Sequence, residues 1–273
     1  MTPSAVWIGG PQGSGKTSIA RALSRVLDLQ LYAVDHRTWN HAARQSPSPF
    51  MDLSLDQRWV DPKPEVMLEW FVEISRERFA LVLEDLTALP PSPLIVVEGP
   101  QLFPSFVAPH LTAPDEALFL LPDEGSQRAR LEARGGMTET SDPARARANA
   151  VERDLLIGRL IEREAKELGL PTLAVDRPLD EMIGLAQTVL APAIERGPRD
   201  VDLSAIRRQE NRATHEQVTL YRASGEARPE HLEGAIPFSC GCGRSGCNAV
   251  VELTLADFAA CERVDGHRGV RLS

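Results

Sequence analysis

The chain has 273 residues, 42% of them hydrophobic, enough to bury a sizeable core in one large domain with room for an appendage. Its formal net charge of −9 argues against a general nucleic-acid binder, and no apolar run is long enough to span a membrane. All four cysteines fall after residue 239, three of them within eight residues, which reads as a metal site in a reducing compartment rather than a disulfide framework. The first strand starts almost at the N-terminus with no signal peptide before it, so the expected location is cytoplasmic.

Residues 5–9 (AVWIG) read as a short buried strand, and residues 18–27 as a helix with Ile19, Leu23 and Val26/Leu27 on one face. Between them stands GPQGSGKT at 10–17, a full G-x-x-x-x-G-K-[ST] signature of the Walker A type. Glycines there let successive backbone N–H groups turn toward one anion, and the helix adds the positive end of its dipole. The expected ATP-binding set is Gly10, Gln12, Gly13, Ser14, Gly15, Lys16, Thr17 and Ser18. Lys16 would reach the β- and γ-phosphates, and the Thr17 hydroxyl would ligate Mg²⁺.

Residues 31–34 read as a second strand ending at Asp35. In an open parallel sheet the carboxyl ends of strands meet the ligand, which makes Asp35 the first candidate base; a turn former or helix cap is the alternative. Residues 36–63 carry prolines and no long periodicity, as expected of a substrate-binding segment, with Arg37, Trp39 and Arg58 as candidate contacts to an anionic or aromatic substrate. Pro64 opens a long helix in which Met67, Trp70, Phe71, Ile74, Leu81 and Leu86 recur at near-helical spacing, a stripe that reads as core. Pro90, Pro91 and Pro93 stop it, and residues 94–97 (LIVV) form a third buried strand closed by Glu98-Gly99-Pro100. Glu98 is placed to orient a Mg²⁺-bound water or to accept a hydrogen bond from substrate.

Residues 117–121 read as a fourth strand, followed by a helix carrying Arg128, Arg130 and Arg134, then Gly135-Gly136 and a polar stretch to Ser141. Three arginines before a glycine hinge suit a mobile lid, because their fixed donors neutralise charge spread over a transferring phosphoryl group. Asp142 as cap, Pro143 in the first turn and Gly169 as stop bracket another helix, with Leu156, Leu160 and Ala165 buried and Arg147 and Arg153 as further candidates to face the site. Residues 172–175 give a fifth strand and residues 179–190 a closing helix.

This order of elements, together with GPQGSGKT, the YAVD that ends in Asp35, VVEGP, and the arginine-bearing helices after FLLPDEGSQRAR, resembles the nucleoside and nucleotide kinase-like P-loop proteins over residues 1 to about 190. The resemblance implies an α/β fold with a five-stranded parallel core and transfer of the γ-phosphoryl group of ATP to a small molecule. Small-molecule phosphotransferases such as chloramphenicol phosphotransferase share the Asp-after-second-strand arrangement, so the implied acceptor is a nucleoside or nucleotide, a sugar acid or an antibiotic. Lys16, Asp35, Glu98, Arg128, Arg130 and Arg134 form the expected catalytic set.

From Ala191 the composition shifts. Residues 191–236 read as a linker (APAIERGPRD) and a charged helix over 201–222 with little apolar face, and residues 237–273 as a separate module. Cys240, Cys242 and Cys247 form a C-x-C-x4-C run with interleaved glycines that resembles a zinc knuckle, where thiolates converge on a tetrahedral Zn²⁺. The fourth ligand is His267 or Cys261; His267 is preferred, because Cys261 takes an apolar position in LTLADFAAC. The tail also resembles a small Cys-rich module at the C-termini of actinobacterial proteins, with F-x-C-x-C, a third Cys, L-T-x-x-(Asp/Glu)-(Tyr/Phe) and a later Gly-His. A nucleotide-dependent switch, whose zinc module contacts a protein partner, is the alternative to an enzyme.

Overall fold

A computed structural model describes residues 4–45, 49–134, 139–199, 202–224, 227, 231–261 and 264–267, without the side chains of residues 49 and 51. In chain order the elements are β1 (Ala5–Gly9), α1 (Lys16–Val26), β2 (Gln30–Ala33), a 3₁₀ turn (Val34–Arg37), α2 (Thr38–Arg44), α3 (Pro49–Asp52), α4 (Leu55–Trp59) and α5 (Pro64–Ala88). They continue as β3 (Ile95–Glu98), α6 (Pro104–Val107), β4 (Ala117–Leu121), α7 (Glu124–Ala133), α8 (Pro143–Glu167), β5 (Thr172–Ala174), α9 (Leu179–Arg196) and α10 (Leu203–Ala223). The tail adds β6 (Ile236–Ser239), β7 (Val250–Leu253) and α11 (Leu255–Ala260).

The first five strands form one parallel sheet in the order β2-β3-β1-β4-β5. The runs VWI, IVV and ALFL of β1, β3 and β4 are continuously apolar because both faces of the sheet are covered. On one face Trp7, Val97 and Phe119 pack with Phe79, Leu86, Phe103, Ile157 and Ile161; on the other, Ile8, Leu118 and Leu120 pack with Ile19, Leu23, Met182 and Leu190. Glu98 lies in register with Ile8 of β1 and with Ala33 of β2. The loop after β1, the turn after β2 and the end of β3 therefore meet at one edge, where the winding crosses from one side of β1 to the other, the usual place for a ligand crevice in an open α/β sheet.

The elements depart from the sequence reading in several places. Asp35 does not follow its strand directly but lies in the 3₁₀ turn after β2, and Glu98 is the last residue of β3. The stretch 36–63 contains three helices, each too short for a 3.6-residue period to show; α4 is announced only by its Ser54/Gln57 capping box. Helix α9 runs on to Arg196 through Pro192, where a linker was expected from Ala191. Helix α10 is docked along the outer edge of β2: Glu210 Oε1 accepts from the Leu31 N–H at 2.9 Å, Gln217 Oε1 from the Trp39 N–H at 2.9 Å, and Arg207 donates to the Leu29 carbonyl at 3.1 Å. These contacts to β2 and α2 are polar, which is why the helix shows little apolar face even though Ile206 and Ala213 are buried, and it covers an edge strand that would otherwise be open to pairing.

The tail strands β6 and β7 pair antiparallel over a small core of Phe238, Leu253 and Val264, with Phe258 stacked on Phe238 at 4.1 Å. Asn211 exchanges hydrogen bonds with the Ser239 backbone at 2.7 and 2.8 Å, and Asp28, just past α1, accepts from Gly246 N–H at 2.9 Å and from the Ser245 hydroxyl. No helix among the described residues is long and apolar enough to cross a membrane.

Candidate active site

The loop between β1 and α1 turns on glycines. Gly10 (φ 144°) has no room for a side chain, since a Cβ would stand 2.6 Å from the Leu120 carbonyl oxygen, and Gly15 (φ 78°) caps α1 in the left-handed region. No acidic residue stands in the first turn of α1 and no side chain caps it, so its first N–H groups are left to face an anion. The Ser14 hydroxyl inside the loop is fully buried and has no hydrogen-bond partner among the described residues. Lys16 is buried with its Nζ 3.4 Å from the Pro11 carbonyl; burial pushes its pKa down, opposed by the nearby carboxylates of Asp35 and Glu98. Thr17 and Ser18 are exposed on the first turn.

Thr17 Oγ1 donates to Glu98 Oε2 at 3.1 Å, joining the loop to the end of β3. Glu98 is only 1% exposed. Burial lifts its pKa to about 7, with Lys16 and the Thr17 hydroxyl holding it down and Asp35 adding to the rise. Asp35 is exposed and is held by Gln101, whose Nε2 donates to its Oδ1 at 3.2 Å. Lys16, Thr17, Asp35 and Glu98 thus belong to one electrostatic group at the sheet edge, and the two hydroxyl or carboxylate oxygens of Thr17 and Glu98 are hard donors suited to Mg²⁺.

Of the three candidate arginines, two meet the loop. Arg130 Nη1 donates to the Gly13 carbonyl at 2.9 Å and Arg134 Nη1 to Gln12 Oε1 at 3.3 Å. Arg128 instead pairs with Glu152 at 2.7 Å, both half-exposed on the α7–α8 surface. The Gly135-Gly136 hinge lies outside the described residues. Residues that the sequence reading missed complete the setting: Gln127 Nε2 bridges the Gln12 and Asp154 carbonyls, and Asp154, buried beside Lys16, accepts two bonds from Arg153 at 2.9 and 2.6 Å. Burial pushes the Asp154 pKa up against that pairing.

A cavity of about 250 Å³ opens between α4, α5 and α8. Met67, Trp70, Phe71 and Ile74 line it, so four of the six α5 positions expected to be core border a cavity, although Met67, like Leu86, is buried as expected. Arg58 lines it, with its Nε on the Leu53 carbonyl and its guanidinium over the Phe50 ring. Arg37 and Trp39 turn elsewhere, the first over Tyr32 and the second stacked on Tyr221.

In the tail, the ligand atoms of Cys240, Cys242, Cys247 and His267 all lie within 4.8 Å of one another, and Cys247 Sγ is 3.3 Å from His267 Nε2. Thiolates around a tetrahedral zinc stand about 3.8 Å apart, so this donor set can hold one metal ion. Cys261 packs instead against the Phe238 cluster. Residues 268–273 lie outside the described chain.

No family model and no curated protein matches the chain. Among solved structures it is similar to a shikimate kinase from Acinetobacter baumannii in complex with shikimate, at 18% identity and TM-score 0.41, over 70% of this chain and 95% of that one. A gluconokinase from Sinorhizobium meliloti 1021 is 20% identical at TM-score 0.37, over 71% of this chain and 95% of the other. An unliganded sugar kinase from Janibacter sp. HTCC2649 is 19% identical at TM-score 0.35, over 71% and 97%.

Proposed function

We propose that the chain is an ATP-dependent phosphotransferase that moves the γ-phosphoryl group to a small-molecule hydroxyl. The observation that carries this reading is the meeting of three strand ends: the glycine loop with Lys16 and Thr17, Asp35, and Glu98 stand together beside an aromatic-walled cavity. The loop N–H groups cradle the phosphates and the Lys16 ammonium follows the charge that develops on the γ-phosphoryl oxygens. Thr17 and Glu98 would hold Mg²⁺, which supplies charge neutralisation between the phosphates. Asp35 takes the proton of the acceptor hydroxyl as the new O–P bond forms and the bond to ADP breaks, then releases it to water. Gln101 fixes the carboxylate for that task. Arg130 and Arg134, now on loop oxygens, turn to phosphate oxygens as the 125–150 segment closes and excludes water.

The tail holds Zn²⁺ at Cys240, Cys242, Cys247 and His267 as a structural ion with four protein ligands. A second reading, a nucleotide-dependent switch, draws on the contact of Asp28 at the end of α1 with Ser245 and Gly246 of the knuckle. Calorimetric titration of Mg-ATP separates them from a non-nucleotide protein: wild type binds, and Lys16→Ala slows turnover on the order of 10²–10³-fold. Equal ATP consumption by both proteins would sink the loop assignment. ATP consumption independent of any acceptor would favour the switch.

A further inference from the structure

Three polar atoms around the cavity between α4, α5 and α8 have no hydrogen-bond partner among the described residues: Ser75 Oγ, Arg78 Nε and Gln101 Oε1. Their residues are 0, 8 and 7% exposed. Leaving such a group unpaired is destabilising, and more so when it is charged, so three at one cavity indicate a site shaped for a polar ligand.

The charge of the lining is one-sided, with Arg58, Arg78 and Arg153 and no Asp or Glu among the described lining residues. Arg153 is neutralised by the two bonds it donates to Asp154 and lies over the rings of Trp59 and Phe71 at 5.0 and 5.6 Å. Arg78 makes no such salt bridge, although the Asp35 charge reaches it; beyond a 3.4 Å contact from its Nη1 to the Thr38 hydroxyl, its Nε faces no acceptor among the described residues. A buried guanidinium with no carboxylate in salt-bridge contact is stabilised by an anion brought by a ligand. Gln101 gives the opposite instruction. Its Nε2 is committed to Asp35, so its Oε1 calls for a donor, and a hydroxyl placed there also lies next to the Asp35 carboxylate. Between these two poles the walls are the aromatic side chains of Trp59, Trp70 and Phe71, which favour an apolar or ring-shaped body. The volume of about 250 Å³ suits one ring and its substituents.

We propose that this cavity binds the phosphoryl acceptor, and that the acceptor is a small ring-bearing hydroxy acid. Its hydroxyl sits at Asp35 and Gln101, its ring lies against Trp70 and Phe71, and its carboxylate or phosphate pairs with Arg78. The word acceptor rests on the phosphotransferase reading; the binding chemistry does not.

The test is calorimetry on the full chain without nucleotide, with 3-phenyllactate as probe, against gluconate (no ring) and 3-phenyl-1-propanol (no anion). Saturable binding of 3-phenyllactate is expected, with each comparison ligand weaker by about tenfold or more. Arg78→Met should weaken 3-phenyllactate by at least about tenfold while its unfolding midpoint equals or exceeds that of wild type, because a buried cation with no salt-bridge partner has been removed. Trp70→Ala, at a half-buried position, is the second variant and should weaken both ring-bearing probes together. Phenyl phosphate distinguishes the anion: whichever of it and 3-phenyllactate binds tighter identifies the group that Arg78 reads. Lys16→Ala should bind the probe like wild type, so wild-type protein that binds the probe but transfers no phosphoryl group from ATP, or whose ATP turnover is unchanged by Lys16→Ala, refutes the phosphotransferase reading alone. No saturable binding of either anionic ring probe at millimolar concentration, or equal binding by wild type and Arg78→Met, overturns the proposal.

Discussion

Replacing Glu98 by Gln isolates the charge that β3 brings to the loop. The carboxyl is 1% exposed and its pKa stands at about 7 instead of the ordinary 4.5, chiefly because burial penalises the ionised form. Between those two values the folded protein keeps the proton that the unfolded chain gives up. The stability this contributes is complete below about pH 4.5 and disappears as the pH rises through about 7. A rise of that size corresponds to on the order of 3 kcal/mol. Glu98→Gln keeps the shape and the hydrogen bond from Thr17 while removing the titration, and Asp35 remains beside Lys16 as its counter-charge. Urea unfolding without divalent metal, repeated from about pH 5 to about pH 8, should show wild type losing stability relative to the variant as the pH rises, by up to that amount. Parallel pH profiles for the two proteins would refute the reasoning, since Glu98 would then titrate alike folded and unfolded. Mg²⁺ binding to wild type just below pH 7 should also release a proton, and the variant should release none, because the cation needs the carboxylate ionised.

Asp35→Asn should lower kcat by about 10²–10⁴ with nucleotide affinity nearly unchanged; a variant that loses ATP binding instead would make Asp35 a metal-site residue. Arg130→Ala, which loses the contact to Gly13, should cost more turnover than Arg128→Ala, which loses only a half-exposed pair with Glu152, and hydrogen exchange over residues 125–150 should slow when ATP and acceptor are both present. Equal effects of the two variants and unchanged protection would mark α7 as a static surface helix. Metal analysis should find zinc near one per chain, lost in Cys242→Ser and His267→Ala and kept in Cys261→Ala, and chelation should unfold the tail, whose core of Phe238, Leu253 and Val264 is too small to stand alone. Zinc that survives His267→Ala but not Cys261→Ala would exchange the fourth ligand.

What was legible in the sequence is what depends on neighbours along the chain. GPQGSGKT announces its turn because its glycines and helix start are contiguous, and Asp35 and Glu98 show themselves as acids at the ends of apolar strands. Cys240, Cys242 and Cys247 read as a cluster for the same reason, whereas His267 joins them across twenty residues only through the β6–β7 hairpin. Arg153 stood out as an arginine that could face the site, but Ser75, Arg78, Gln101 and Asp154 were not legible, because a polar residue in a helix or turn reads as solvated until the packing of α4, α5 and α8 is known. One signal was available: Arg78 falls four residues from both Ile74 and Val82, a charge within an apolar stripe. Helix α10 escaped in the opposite way, since Arg207, Glu210 and Gln217 dock it through backbone hydrogen bonds that leave no hydrophobic period.

Group transfer at the loop is the central claim, and ³¹P NMR of Mg-ATP turnover tests it most directly. The protein would be incubated with a pool of hydroxy acids, sugar acids, nucleosides, nucleotides and hydroxylated antibiotics. The expected result is ADP formed together with an equal amount of a new phosphomonoester, both greatly reduced in Lys16→Ala. ADP accompanied by inorganic phosphate alone, or the same spectra from wild type and Lys16→Ala, would contradict it.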